Sequence, residues 1–286
     1  MKIKLLTFAK LTLILDVIDK RTDGYHNVKI LLHNINLSDF MSINLIPYPY
    51  FILETNLHIS PKENLIYKGY KAFIKETGIK IGCKIFLHKR IPKEAGLGGG
   101  SSNAAGIIYG LNILTKANLS LEEMANIGKF LGSDIPFFFY GGSSVAEGRG
   151  EIIKKIKHQR LKFLLIFPPF GISTKEVYSK ISKDLLGNHI AFEQKVSEYT
   201  NGIYIKPYNF LEKITFNMYP ELAMIKKEIE KVTEYVSMTG SGSTIFVMLK
   251  DKEEAKKILE RLNKYIEKGY KIKLVDSAEQ GIKILR

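Results

Sequence analysis

Residues 92–105, Pro-Lys-Glu-Ala-Gly-Leu-Gly-Gly-Gly-Ser-Ser-Asn-Ala-Ala, carry the strongest chemical signal in the chain. Gly96, Gly98, Gly99 and Gly100 give the backbone freedom to take positive φ and to approach a ligand closely. Ser101, Ser102 and Asn103 follow at a helix-capping position. A strand-like run at 83–87 precedes the glycines and an apolar helical pattern follows them. Strand, glycine loop and helix start, in that order, aim free N–H groups and a positive dipole end at one point, which is the chemistry of phosphate binding. A glycine turn with a serine cap is the plainer alternative. A Walker loop is excluded because no lysine follows the glycines. A dinucleotide loop is disfavoured because no acidic residue ends a strand some twenty residues further on.

Two charges stand in apolar surroundings. Lys10 interrupts the run at 3–17, where Leu11, Leu13, Leu15 and Val17 alternate with Thr12, Ile14 and Asp16. A strand-edge lysine with its stem packed and its amine in water would look the same. Asp134 precedes Ile135-Pro136 and three phenylalanines, where a helix cap or an Asx-turn is the simpler account. Tyr25 and His26 follow an Asp-Gly turn. In a surface hairpin they would be unremarkable, but a phenol ring can stack on a nucleobase and an imidazole can hydrogen-bond its edge.

The loop Pro92–Ser102 resembles the phosphate loop of the GHMP kinases, which act on galactose, homoserine, mevalonate and phosphomevalonate. Its triple glycine and Ser-Ser-Asn are most similar to the branch whose acceptor is the C2 hydroxyl of 4-diphosphocytidyl-2-C-methyl-D-erythritol, in the non-mevalonate route to isoprenoid precursors. Four further segments resemble that branch in the same order: Ala9-Lys10-Leu11-Thr12-Leu13, the Asp-Gly-Tyr-His run at 23–26, Gly132-Ser133-Asp134-Ile135-Pro136, and Met238-Thr239-Gly240-Ser241-Gly242. The resemblance implies catalytic roles for Lys10 and Asp134. It implies ATP contacts from Asn64, Leu65, Lys89, Pro92, Lys93, Glu94, Ala95, Gly96, Leu97, Gly98, Gly99, Gly100, Ser101 and Ser102, with Ser101 or Ser102 reaching Mg²⁺. On the acceptor side it implies Thr12, Tyr25, His26, Thr174, Tyr178 and Gly240, with Thr12 standing where the branch has Asn. The implied partner is a small molecule carrying a cytidine diphosphate group, taken by a monomer or weak homodimer. The implied fold is α+β, an S5-like N-terminal lobe and a ferredoxin-like C-terminal lobe.

The elements that must position these residues are readable in outline. Strands are expected at 3–17 with a break near Ala9-Lys10, and at 28–37, 41–47, 50–55 and 83–87. Helices are expected from Pro61 to about Glu76, from Ser101 to about Leu114, and from the Ser120/Glu123 capping box to about Leu131. Residues 141–151 read as a structural turn and 152–160 as a basic connector, which divides the chain into lobes at 1–155 and 156–286. In the second half, strands are expected at 161–167, 245–249 and 270–275, and helices from Thr174, Pro220 and Asp251, with 184–208 irregular.

Composition bounds the function. The chain has 286 residues and a formal net charge of +14, but only six of its 43 basic residues are Arg and the lysines are dispersed. That pattern is unlike a nucleic-acid surface and suits weak attraction of anionic substrates. The single cysteine, Cys83, permits no internal disulfide, as expected in a reducing cytoplasm. Lys10 and Asp16 break the N-terminal apolar run and no small-residue cleavage pattern follows, so residues 2–18 do not read as a leader. No uncharged stretch reaches the ~18 residues of a membrane span. Two other functions fit the same outline. Another GHMP kinase would leave the Asp-Gly-Tyr-His run without a task, and an S5-like RNA-binding protein would ignore ATP and bind with a steep salt dependence.

Overall fold

The computed structural model describes residues 1–47, 49–56, 64–187 and 189–285. The expected start of the first helix at Pro61 lies outside the described residues. Two long strands dominate the first half, β1 (Lys2–Lys20) and β2 (His26–Ile46), paired antiparallel around the Asp-Gly turn. The break expected near Ala9-Lys10 is a register shift between Phe8 and Ala9 within one continuous strand. The strands expected at 28–37 and 41–47 are likewise one strand. Asp39 falls between the two expected strands, yet it is fully buried inside β2, where its carboxylate accepts from the N–H groups of Arg90 (2.6 Å) and Ile91 (2.9 Å).

β3 (Phe51–Thr55) and β4 (Gly82–His88) extend this sheet on one side and a C-terminal strand, β12 (Ile282–Leu285), on the other, giving the order β12-β1-β2-β4-β3. β5 (Ser143–Glu147) and β6 (Ile152–Ile156) branch from β2. The expected turn at 141–151 therefore contains a strand, and the expected connector opens with one. β6 shows little apolar periodicity because it is an edge strand with solvated Lys154 and Lys155. The helices are α1 (Leu65–Thr77), α2 (Gly99–Thr115), α3 (Leu121–Lys129) and α4 (Ile135–Tyr140). α2 lies tight on the sheet through small residues. A Cβ on Gly106 would come within 2.5 Å of Thr7, and one on Gly110 within 2.4 Å of Ile43.

The second sheet, order β11-β7-β10-β9, is wholly antiparallel: β7 (Lys162–Phe167), β9 (Val236–Met238), β10 (Ile245–Leu249) and β11 (Lys271–Asp276). α8 (Pro220–Glu230) buries Leu222, Ile225 and Ile229, and α9 (Lys252–Ile266) buries Ile258, Leu262 and Tyr265, each at helical spacing. α5 (Thr174–Ser179) lines the cleft, and α7 (Glu212–Met218) packs against α8. The stretch expected to be irregular contains α6 (Phe192–Thr200), anchored by buried Phe192 and Tyr199 among polar neighbours. β8 (Tyr208–Asn209) pairs parallel to β1, and β12 (Ile282–Leu285) pairs antiparallel to it, so two strands from beyond residue 155 complete the first sheet.

Candidate active site

Strand alternation puts Lys10 and Thr12 of β1 on one face. Both are buried and line a cleft of about 1030 Å³ to which both halves of the chain contribute. The Lys10 Nζ donates to the Gly96 carbonyl at 2.8 Å and to Thr12 Oγ1 at 3.0 Å. It lies 3.8 Å from Asp134 Oδ2. Burial lowers the pKa of this amine below the lysine norm, and the Asp134 charge raises it part of the way back. Asp134 sits at the start of α4, with Pro136 in the first turn, but its side chain makes no capping hydrogen bond. The carboxylate is therefore free for the cleft, where it is about a third exposed (35%).

The glycine loop follows β4 and leads into α2, so α2 points its N-terminus at the cleft. No described residue accepts from the N–H groups of Gly99, Gly100 and Ser101, while Ser102 N already bonds to the Gly98 carbonyl. The glycines serve different ends. Gly96 has φ 72° and a Cβ there would meet the Thr239 carbonyl at 2.0 Å. Gly98 has φ 68° and packs on the Phe138 ring and the Lys10 stem. Gly99 is small for packing, since its Cβ would strike Ile91 at 2.8 Å. Backbone joins the loop to the second half of the chain, with Ile172 N donating to Glu94 O (2.8 Å) and Thr244 N to Ala95 O (3.4 Å).

Most of the residues implied by the resemblance meet in this cleft: Asn64, Leu65, Lys89, the run from Pro92 to Ser101, Tyr25, His26, Thr174, Tyr178 and Gly240 line it together. Ser102 does not. It is fully buried and its hydroxyl donates to Phe8 O at 2.7 Å, which turns it into the protein and away from any metal. Lys89 is held by an ion pair with Asp39 and a 2.9 Å bond to Asn103 Oδ1, so it braces the loop from beneath. Thr12, expected on the acceptor, is buried and accepts from Lys10, so it orients the amine. Thr12→Val should therefore lower kcat by about tenfold, the loss of one charge-assisted bond of ~1.5 kcal/mol, with the KM for ATP unchanged in steady-state assays.

At one end of the cleft Asn64 caps α1 through Oδ1, and its Nδ2 is buried without a partner among the described residues. At the other end the His26 ring lies 5.6 Å from the ring of half-buried Tyr178, and His26 Nε2 is also buried and unpartnered. Burial is the main cause lowering the His26 pKa, with Lys20 adding to it, so the ring is neutral at pH 7 and able to serve a base edge. Tyr25 is exposed, with the Arg149 guanidinium 4.9 Å above its ring. Sequence reading missed Lys20, Arg149 and Lys175, dispersed cations that only the fold brings together. With Lys10, Lys89 and Lys93 they make six basic side chains against three acidic ones (Asp23, Glu94 and Asp134), a field suited to a polyanionic ligand.

Residues 64–142 match the GHMP kinases N terminal domain and residues 183–268 match the GHMP kinases C terminal domain. A relative from Thermodesulfovibrio yellowstonii, a 4-diphosphocytidyl-2-C-methyl-D-erythritol kinase, is 37% identical, with 96% of this chain and 98% of the relative covered. The chain belongs to the 4-diphosphocytidyl-2-C-methyl-D-erythritol kinase family. A member of that kinase family from Listeria innocua is 34% identical, with 96% of each chain covered. A crystal structure of 4-(cytidine 5'-diphospho)-2C-methyl-D-erythritol kinase superposes with a TM-score of 0.80 at 28% identity, over 97% of this chain and 99% of that one. Membership of this kinase family makes the chain an ATP-dependent kinase with the expected α+β GHMP fold. Among the described residues, no helix is long and apolar enough to cross a membrane.

Proposed function

We propose that this chain transfers the γ-phosphoryl group of ATP to the C2 hydroxyl of 4-diphosphocytidyl-2-C-methyl-D-erythritol, in the cytoplasm, as a step toward isoprenoid precursors. The observation that carries the reading is the Lys10–Asp134 pair, 3.8 Å apart between a phosphate-type loop and the Tyr25/His26/Tyr178 cluster. ATP extends from Asn64 and Leu65, where the free Asn64 Nδ2 faces the adenine, to the N–H groups at the start of α2. The acceptor's cytosine lies among Tyr25, His26 and Tyr178, and its diphosphate meets the surrounding cations.

In phosphoryl transfer the protein chiefly positions groups and neutralises charge. Asp134 accepts the proton of the C2 hydroxyl as its oxygen bonds to the γ-phosphorus and the bond to the β,γ-bridging oxygen breaks. Lys10, fixed by Gly96 O and Thr12 Oγ1, holds positive charge beside the transferred group. The cleft also fits Mg²⁺. Among the described residues no cluster of three metal-ligating side chains exists, but Mg²⁺ commonly takes one or two protein oxygens and completes its shell with phosphates and water. Ser101 would hold it, with phosphate oxygens and water completing the shell. When bound, it neutralises phosphate charge.

Tyr25→Ala should raise the KM for the cytidine substrate about tenfold or more while the KM for ATP stays constant, because one stacked base is worth ~1–3 kcal/mol. Free methylerythritol phosphate should not be phosphorylated, and its turnover at the rate of the full substrate would overturn the assignment. The pH profile should also carry the mark of Lys10. Because burial depresses this amine below the ordinary lysine value of 10.5, kcat should fall on the alkaline side at a pH under that value. An alkaline limb that persists in Lys10→Met would belong to another group.

A further inference from the structure

The loop at 238–244 passes beside Lys10. Thr239 Oγ1 accepts from Thr12 N at 3.0 Å and donates to the Gly96 carbonyl at 3.2 Å, the same carbonyl that receives the Lys10 amine. Gly240 passes so close that a Cβ there would lie 3.3 Å from Lys10 Nζ. The loop's own turn bonds, Gly242 N to Thr239 O and Thr239 N to Thr244 O, are few for a segment that must be placed to a fraction of an ångström.

Its shape is set from outside, by the short stretch at 209–215. Asn209 is 3% exposed and uses all of its amide: Nδ2 donates to Met238 O and Gly240 O, both at 2.7 Å, and Oδ1 accepts from Leu211 N at 3.0 Å. Glu212 Oε1 accepts from Met238 N and from Ser237 Oγ, each at 2.8 Å, while its other oxygen is held by Lys226 at 2.6 Å. Thr215 Oγ1 adds a longer bond to Ser241 O at 3.4 Å. Asn209 is itself anchored to the catalytic strand, since β8 pairs with β1 at Ile14 and Leu15, and Phe210 N donates to Leu15 O. None of these three residues lines the cleft.

We propose that Asn209, supported by Glu212, is a positioning residue for phosphoryl transfer. It clamps Met238 and Gly240 to the strand that carries Lys10, and through Thr239 it fixes the Gly96 carbonyl and the Lys10 amine. Geometry of this kind governs kcat more than ground-state binding. The kinetic part rests on the kinase reading above; the clamp does not.

The test compares Asn209→Ala and the isosteric Asn209→Asp, whose ionised carboxylate opposes both loop carbonyls. If the alanine variant does not fold, the aspartate variant, of the same volume, carries the test. Hydrogen exchange of peptides spanning residues 237–244 should quicken at least about tenfold in the variants while the rest of both sheets keeps wild-type protection. kcat should drop at least about tenfold, with the KM for ATP within about threefold of wild type. Unchanged exchange in the loop of a folded variant would overturn the clamp. Accelerated exchange with wild-type kcat would overturn the positioning role. A wild-type protein without kinase activity would sink the kinase reading alone, since exchange reports on the clamp regardless.

Discussion

Asp134→Asn should fold normally and lose at least about a hundredfold in kcat, the usual range for removing a positioned acid–base group. The substitution keeps the volume and leaves the start of α4 intact, because the native carboxylate makes no capping bond there. It removes the proton acceptor and the only acidic partner within ion-pair distance of Lys10 among the described residues. Lys10→Met should lose as much. Its stability should behave differently from that of most core substitutions. A lysine whose pKa is depressed in the folded state binds fewer protons there than when unfolded. It therefore opposes folding at pH 7, and that penalty fades as pH rises through the folded-state value toward 10.5. Lys10→Met should match or exceed wild-type stability at pH 7, with the difference narrowing at alkaline pH in denaturant titrations. Near-normal turnover in either folded variant removes that residue from the chemistry.

Gly96→Ala should produce the second large effect, loss of ATP turnover by about a hundredfold or more, since a misplacement near 1 Å can cost that much. The backbone there has positive φ, and a methyl group would need the Thr239 carbonyl to retreat from 2.0 Å. The glycine loop and the 238–244 loop would separate, and the Lys10 amine would lose the fixed position of its strongest acceptor. Calorimetry should show weakened ATP binding, whereas Gly100→Ala, whose Cβ would touch only Leu65 at 3.4 Å, should bind ATP nearly as wild type does.

The residues that line the cleft were more legible in the sequence than the elements that carry them. Glycines at 96–100, a lysine inside an apolar strand and an aspartate before Ile-Pro are local signals, and their types already restrict the chemistry. What bends the chain was harder to see. Asp39 falls between two expected strands because its partners, two backbone N–H groups and Lys89, lie some fifty residues away in sequence. β12 gave little signal, since Ile282 and Ile284 acquire meaning only through pairing with β1. Thr12 lines the cleft and Ser102 does not, and their hydroxyls are committed to Lys10 and to Phe8 O, facts of orientation that residue type does not encode.

The most direct test of the account is ATP consumption by the purified protein across four acceptors: 4-diphosphocytidyl-2-C-methyl-D-erythritol, homoserine, mevalonate and galactose. Turnover is expected with the diphosphocytidyl alcohol, phosphorylated at its C2 hydroxyl, and none above background with the other three. Turnover with homoserine, mevalonate or galactose and not with the diphosphocytidyl alcohol would contradict it.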